Sequence, residues 1–442
     1  MTLALSALLA GCGGHHHATT GTATAGPPSS LSALHPCPSV KHASCATLTV
    51  PLDHSGKVAG KLRLPVAVVG SASAPRGTLV FLTGGPGQPG VQFVPRIRGE
   101  LGGALRGYRF VMLDQRGTGA GALSCPALQR AAGFSDLTVP PPTAVSDCAH
   151  RLGDKRRFFT TADAVADLEG LRSVLGAARW ILDGVSYGTF VAERYALAHP
   201  NRVRALVLDS VVPQEGINPF QLETIQRVSH VVPGAGDLAA VIRRYHDGPE
   251  LLDTLVTLSI AEPSFRAVPR ALREARAGNP ARLNRLIANV RRGSRGPASL
   301  LSQGLHASTL CADYRMPWGG PDVPIARRKA VIAAAAAKLT PADLAPFDKA
   351  TATGNGELLT CENWPPEPVK PPDATGDLPA VPVLLLAGDH DLSTPLQWAR
   401  AEARHAPEGR LVVVPGAGHS VQLRARNPAG SRALMTFLQA SG

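Results

Sequence analysis

The chain has 442 residues, 44% hydrophobic and 18% charged, with a formal net charge of +12. Its length exceeds one ordinary core, and its apolar content is ample for burial. No basic patch interleaved with aromatics and no known binding module accompany the charge, so nucleic acid is set aside as a partner and attraction to an anionic cell envelope is the better reading.

In chain order, residues 3–10 are apolar and run into Leu9-Ala10-Gly11-Cys12, which has the form of a bacterial lipobox with Cys12 as the lipidated residue. The lysine or arginine expected at the start of such a signal is absent. Residues 1–12 read as the signal segment, and residues 13–36, rich in Gly, Thr and Pro, as a flexible tether. No later apolar run is long enough to span a membrane, so a lipid anchor is the sole membrane link expected. Of seven cysteines, six remain after Cys12. An even count suits an oxidising compartment and an exported protein, secreted or held at the envelope. Six cysteines permit fifteen connectivities. Proximity suggests Cys37 with Cys45, Cys125 with Cys148, and Cys311 with Cys361.

Residues 45–69 alternate as an entry hairpin. Residues 79–82 form a short apolar strand followed by Thr83-Gly84-Gly85-Pro86-Gly87. Residues 110–113 are another buried strand, ending in Asp114-Gln115-Arg116-Gly117-Thr118-Gly119, a charged turn read as a structural brace. Residues 161–176 carry a helical stripe, with Thr161 or Asp163 as the cap. The apolar run 178–183 leads into Gly184-Val185-Ser186-Tyr187-Gly188, and a helical run follows. Strand, Gly-x-Ser-x-Gly and helix is the setting of a nucleophile elbow, which exposes Ser186 at a helix head.

A hydroxyl needs a base, and the base an orienting acid. The buried strand 381–387 runs into Gly388-Asp389-His390-Asp391, and the strand 411–414 ends in Pro415-Gly416-Ala417-Gly418-His419. Asp391 is preferred over Asp389 as the acid, because Ser393-Thr394-Pro395 after it reads as a helix start. His419 is the base. The oxyanion of acyl transfer needs N–H donors, one from Tyr187 after the nucleophile and a second from the glycine loop, with Gly85 favoured. His199 reads as a helix-end residue, while His230 and His306 have no partner that sequence can name. Among the motifs, His-Glu-x-x-His, Cys-x-x-Cys and Gly-x-x-x-x-Gly-Lys are all missing, so neither a metal nor a cofactor is expected.

Four motifs in this order, Gly84-Gly85-Pro86-Gly87, Asp114-Gln115-Arg116-Gly117-Thr118-Gly119, Gly184-Val185-Ser186-Tyr187-Gly188-Thr189 and Gly388-Asp389-x-Asp391-x-x-Thr394-Pro395, resemble the prolyl aminopeptidase and tripeptidyl aminopeptidase family of α/β-hydrolases, above all its secreted, lid-bearing actinobacterial forms. The resemblance covers roughly residues 37–440. It implies an α/β fold: a mostly parallel central sheet flanked by helices, with a large helical lid inserted before the acid-bearing strand. It also implies Ser186 as nucleophile, Asp391 as acid, His419 as base and the Gly84-Gly85 pair as oxyanion loop. Thr83 stands where many members have His or Pro, and Ala120-Gly121 where a serine is common. The expected layout is core from 37–212, lid from 213–375 and core again from 376–442, with the third disulfide stapling the lid. The activity implied is release of short N-terminal units from peptides. That needs a carboxylate for the substrate ammonium, with Asp313 first and Glu362 second and ordinary surface acids as the alternative, while Trp364 and Trp318 are read either as pocket walls or as buried packing. An envelope esterase or lipase on the same triad, and a non-catalytic binding module, are the competing readings.

Overall fold

A computed structural model describes residues 28–38, 40–369 and 375–442. Cys12, the signal segment and the tether up to residue 27 lie outside the described residues. Residues 30–31 (β1) and 35–36 (β2), expected in the tether, instead pair antiparallel with β3, Ser44–Pro51. β3 forms the entry hairpin with β4, Lys61–Val69.

The remaining strands are β5 (Thr78–Leu82), β6 (Arg109–Leu113), β7 (Trp180–Val185), β8 (Val203–Asp209), β9 (Val383–Gly388) and β10 (Gly409–Val414). The sheet order is β1-β3-β4-β6-β5-β7-β8-β9-β10, and every pair from β6 onward is parallel. Strands covered on both faces read as unbroken apolar runs rather than alternating ones, which is why 79–82 and 383–387 were legible. Side chains still alternate between layers. Leu79, Phe81 and Met112 pack towards Ile97 and Leu438 of the helices Val94–Leu101 and Ala429–Ser441. Val80, Leu82 and Leu182 face Leu168 and Val191 of the helices Thr161–Val174 and Tyr187–Ala198. The first of those two helices is capped by Thr160, one residue earlier than expected: its Oγ1 accepts the Asp163 N–H and the Asp163 carboxylate accepts the Thr160 N–H.

Between β8 and β9 the described chain is helical from Leu222 to Asn363 apart from turns and one isolated bridge. All three disulfides pair as proximity suggested. Cys311–Cys361 joins the helices Gln303–Asp313 and Gly356–Asn363.

Candidate active site

Ser186, Asp391 and His419 follow the C-terminal ends of β7, β9 and β10, the edge where parallel sheets carry their ligands. Ser186 holds φ 57° and ψ −130°. This left-handed φ is costly for a serine and marks a functional turn. Both flanking glycines are sterically required. A Cβ on Gly184 would strike the Gly188 backbone, and one on Gly188 would strike the carbonyl of Leu82. The elbow is thus pressed onto the end of β5. Tyr187 opens the following helix, so its N–H has no intrahelical acceptor.

Parallel pairing sets Gly388 opposite Val414 and brings the acid and histidine loops side by side. Gly388 lies against the carbonyls of Ala417 and Gly418, where a Cβ has no room. Asp391 is buried, and its Oδ2 lies 2.9 Å from His419 Nδ1 and accepts the Thr394 hydroxyl at 2.6 Å. Its Oδ1 accepts the N–H groups of Ser393 and Thr394. Burial pushes the Asp391 pKa up, but the His419 charge and the hydrogen bonds from His419 and Thr394 outweigh it, and the carboxyl stays below the usual range. Asp389, the acid not preferred, ties the two loops together, accepting the Gly416 N–H at 2.7 Å.

Ser186 and His419 line one cavity of about 160 Å³ together with Gly84 and Gly85. No hydrogen bond joins Ser186 Oγ to His419 among the described residues. In unliganded hydrolases that contact commonly tightens only with substrate. Gly84 abuts Ser186: a Cβ there would lie 2.9 Å from Ser186 Cβ and 3.4 Å from Oγ. Gly85, with φ +108°, turns the loop away towards Gly87. The charged turn braces this loop. Asp114 Oδ1 accepts the N–H groups of Gly90 and Val91, and the Gln115 amide reaches the Thr83 carbonyl. Arg116, buried, pairs with Asp167 at 2.6 Å.

A second set of contacts holds the histidine loop. Asp209, ending β8, accepts the N–H groups of Val421 and Gln422, and Ser210 Oγ accepts that of Ser420. Burial raises the Asp209 pKa to about 6 against those hydrogen bonds. From the helical segment between β8 and β9, Ser259 on the helix Gly248–Ala261 touches both the Asp391 and the His419 loops. Its Oγ accepts the Leu392 N–H at 3.1 Å, and its carbonyl accepts the His419 N–H at 3.4 Å and sits against Gly418.

The four residues expected to bind substrate or wall its pocket, Asp313, Glu362, Trp364 and Trp318, do not line this cavity. Asp313 is buried, and its Oδ2 accepts the Thr161 N–H at 2.7 Å and the Thr161 hydroxyl at 2.5 Å. It caps a core helix behind Tyr187, whose hydroxyl also meets Thr161. Burial raises its pKa to about 7. Trp364 is packed inside, donating its indole N–H to Glu367, and Glu362 borders the cavity nowhere. Trp318 stacks under the Arg328 guanidinium. The acid that does line the cavity is Asp136. Protein surrounds it, yet 34% of its side-chain surface remains open. Burial raises its pKa, and His306 and His419 oppose that rise. His306 Nδ1 meets the Pro86 carbonyl of the glycine loop, and its Nε2 lies 3.4 Å from Asp136. Glu357, beside the disulfide, shares a small recess with Asp136; burial and then the Asp136 charge raise its pKa well above normal. Sequence reasoning missed all three as a group. The sole hint was Glu357 lying four residues before Cys361.

The described residues hold no cluster of side chains able to bind a metal, and no helix long and apolar enough to cross a membrane. The family model described as "alpha/beta hydrolase fold" matches residues 77–229, and that described as "TAP-like protein" matches residues 345–442. Tripeptidyl aminopeptidase of Streptomyces lividans is 31% identical over 193 residues, covering 39% of this chain and 36% of that enzyme. The match thus spans about a third of the length of that relative. Serine protease Hip1 of Mycobacterium tuberculosis is 25% identical over 451 residues, covering 86% of this chain and 82% of Hip1. A probable proline iminopeptidase of Streptomyces coelicolor is 39% identical over 132 residues, covering 30% of this chain and 32% of that protein. Strand order, elbow and family models agree: the chain has the α/β-hydrolase fold, is similar to tripeptidyl aminopeptidases and proline iminopeptidases, and matches the TAP-like model in its C-terminal region.

Proposed function

We propose that the protein is an exported serine peptidase that releases short N-terminal units from peptides through an acyl-enzyme. His419 takes the Ser186 proton as the hydroxyl attacks the peptide carbonyl. Asp391 fixes the imidazole tautomer and stabilises its charged form. The Tyr187 amide and one from Gly84-Gly85 receive the oxyanion. His419 then protonates the leaving amine, and water reverses the sequence. Export rests on the three disulfides and the lipobox-like Cys12.

The observation that carries the aminopeptidase reading is Asp136, a carboxylate open into the cavity that holds Ser186 and His419. It is placed to receive an α-ammonium, with Glu357 behind it, and so takes the role expected of Asp313 and Glu362. One feature favours an esterase: Phe93, Ile97, Phe134, Ile260 and Leu301 also line the cavity and would suit an apolar acyl group.

A panel of chromogenic amides with free or acetylated amino termini, and matched esters, separates the two. The free amines should be preferred, and Asp136→Asn should erase that preference. Preference for blocked amides, or turnover of esters alone, would overturn the peptidase. Ser186→Ala should lower turnover by something like a millionfold and serves as the zero.

A further inference from the structure

The catalytic cavity does not end at His419. It continues into a groove of about 530 Å³ through shared walls at Arg96, Ile260, His419, Leu423 and Arg424. Arg96 projects from the helix Val94–Leu101, and Arg424 ends the single-turn helix Val421–Arg424 just after the base. Neither guanidinium has an acidic partner or an acceptor among the described residues. Both side chains are exposed, and they lie close enough for their charges to interact. Although Arg424 is exposed, the protein crowded around it, and then the Arg96 charge, lower its pKa. Further out the groove adds Arg266 and Arg426. The acid lining it, Glu262, is already held by Arg266 at 3.5 Å, by the Arg266 N–H and by the Ser264 hydroxyl. The groove therefore carries uncompensated positive charge beside the base.

The side of the scissile bond is fixed by chemistry. His419 must hand its proton to the departing amine, so the leaving segment lies against His419 and runs out past it. Asp136 is not part of that groove; besides the catalytic cavity it lines the recess under the helices Gln303–Asp313 and Gly356–Asn363.

We propose that Arg96 and Arg424 bind the terminal carboxylate of the leaving segment, so that the preferred substrates are short peptides gripped by both ends. This rests on the aminopeptidase reading above. A carboxylate between two guanidiniums satisfies the charge that the fold leaves open, and forked donors suit it in a way that a neutral carboxamide cannot match.

The test compares free-amine peptides whose leaving segment is one to four residues long, each ending in a carboxylate or a carboxamide. The wild-type enzyme should favour the acid by about tenfold or more in kcat/KM at one optimal length, and the preference should shrink as salt is raised. In the Arg96→Gln/Arg424→Gln double variant the acid-to-amide ratio should fall to near one, the amide being the internal reference. If free-amine peptides are cleaved but acid and amide react alike in the wild type at every length, the carboxylate site is refuted and the aminopeptidase stands. If no free-amine peptide is cleaved, the aminopeptidase reading itself fails.

Discussion

Gly84→Ala isolates the oxyanion loop from the triad. Its φ is not in the left-handed region, so alanine carries no backbone penalty and the effect is steric alone. The new methyl would sit 2.9 Å from Ser186 Cβ and 3.1 Å from the Val185 carbonyl oxygen. Carbon atoms in contact prefer about 3.5–4.0 Å, so something must move by about 0.6 Å or more. The Val185 carbonyl belongs to a central strand and Ser186 to the strained elbow, so the glycine loop is the part that yields. A displacement approaching 1 Å costs on the order of a hundredfold, and losing a donor outright about a hundredfold to a thousandfold. The expected result is a kcat about a hundredfold lower with KM changed far less. Labelling by a fluorophosphonate should slow to a similar degree, because that reagent also places an oxygen among the same donors. Steady-state kinetics on a free-amine anilide, labelling rates and a thermal melt measure all three. A folded variant whose kcat stays within about threefold of wild type would refute the placement of this loop over the nucleophile.

Two further outcomes are expected. Asp313 has its pKa raised to about 7 from a usual 3.8. The folded state therefore holds this proton more tightly, and the stability it contributes is full below about pH 4 and lost as pH rises to about 7. Roughly three pKa units set an upper bound of about 4 kcal/mol, so Asp313→Asn should melt with a flatter pH dependence between 4 and 7; an unchanged slope would show that this group does not titrate there. Replacing Cys311 and Cys361 by serine opens a loop with a sequence separation of 50. It should cost up to about 4 kcal/mol in the chain-entropy account and loosen the recess that holds Glu357, seen as a lower denaturant midpoint and a higher KM for free amines; equal midpoints would contradict this.

The three residues proposed as the triad stood out because each sits just past an apolar run too short for a helix and bounded by glycines. The parallel sheet places such ends side by side whatever the chain between them does. Gly184 and Gly188 carry the same information, since their backbones are crowded by Gly188 and Leu82. Residues that meet across the lid left no such trace. Asp136 lies in a loop after the helix Pro126–Ala132, and only the packing of helices 170–220 residues further on turns it into a cavity wall. Asp313 had the opposite fate. Its neighbour Cys311 does form the expected disulfide, but two positions along a helix is half a turn, so the carboxylate points to Thr161. The tether was read from composition alone. Composition cannot register that Ser30–Leu31 and His35–Pro36 find backbone partners on β3.

The grip of Ser259 on Leu392 and His419 has a mechanical meaning. A cover fastened to the machinery beneath it is no hatch. Lifting that helix would drag acid and base out of alignment with the alcohol, so an upraised form is also a disarmed one. On the proposed mechanism, substrate is therefore expected to enter by openings the cavity already has, without raising this helix.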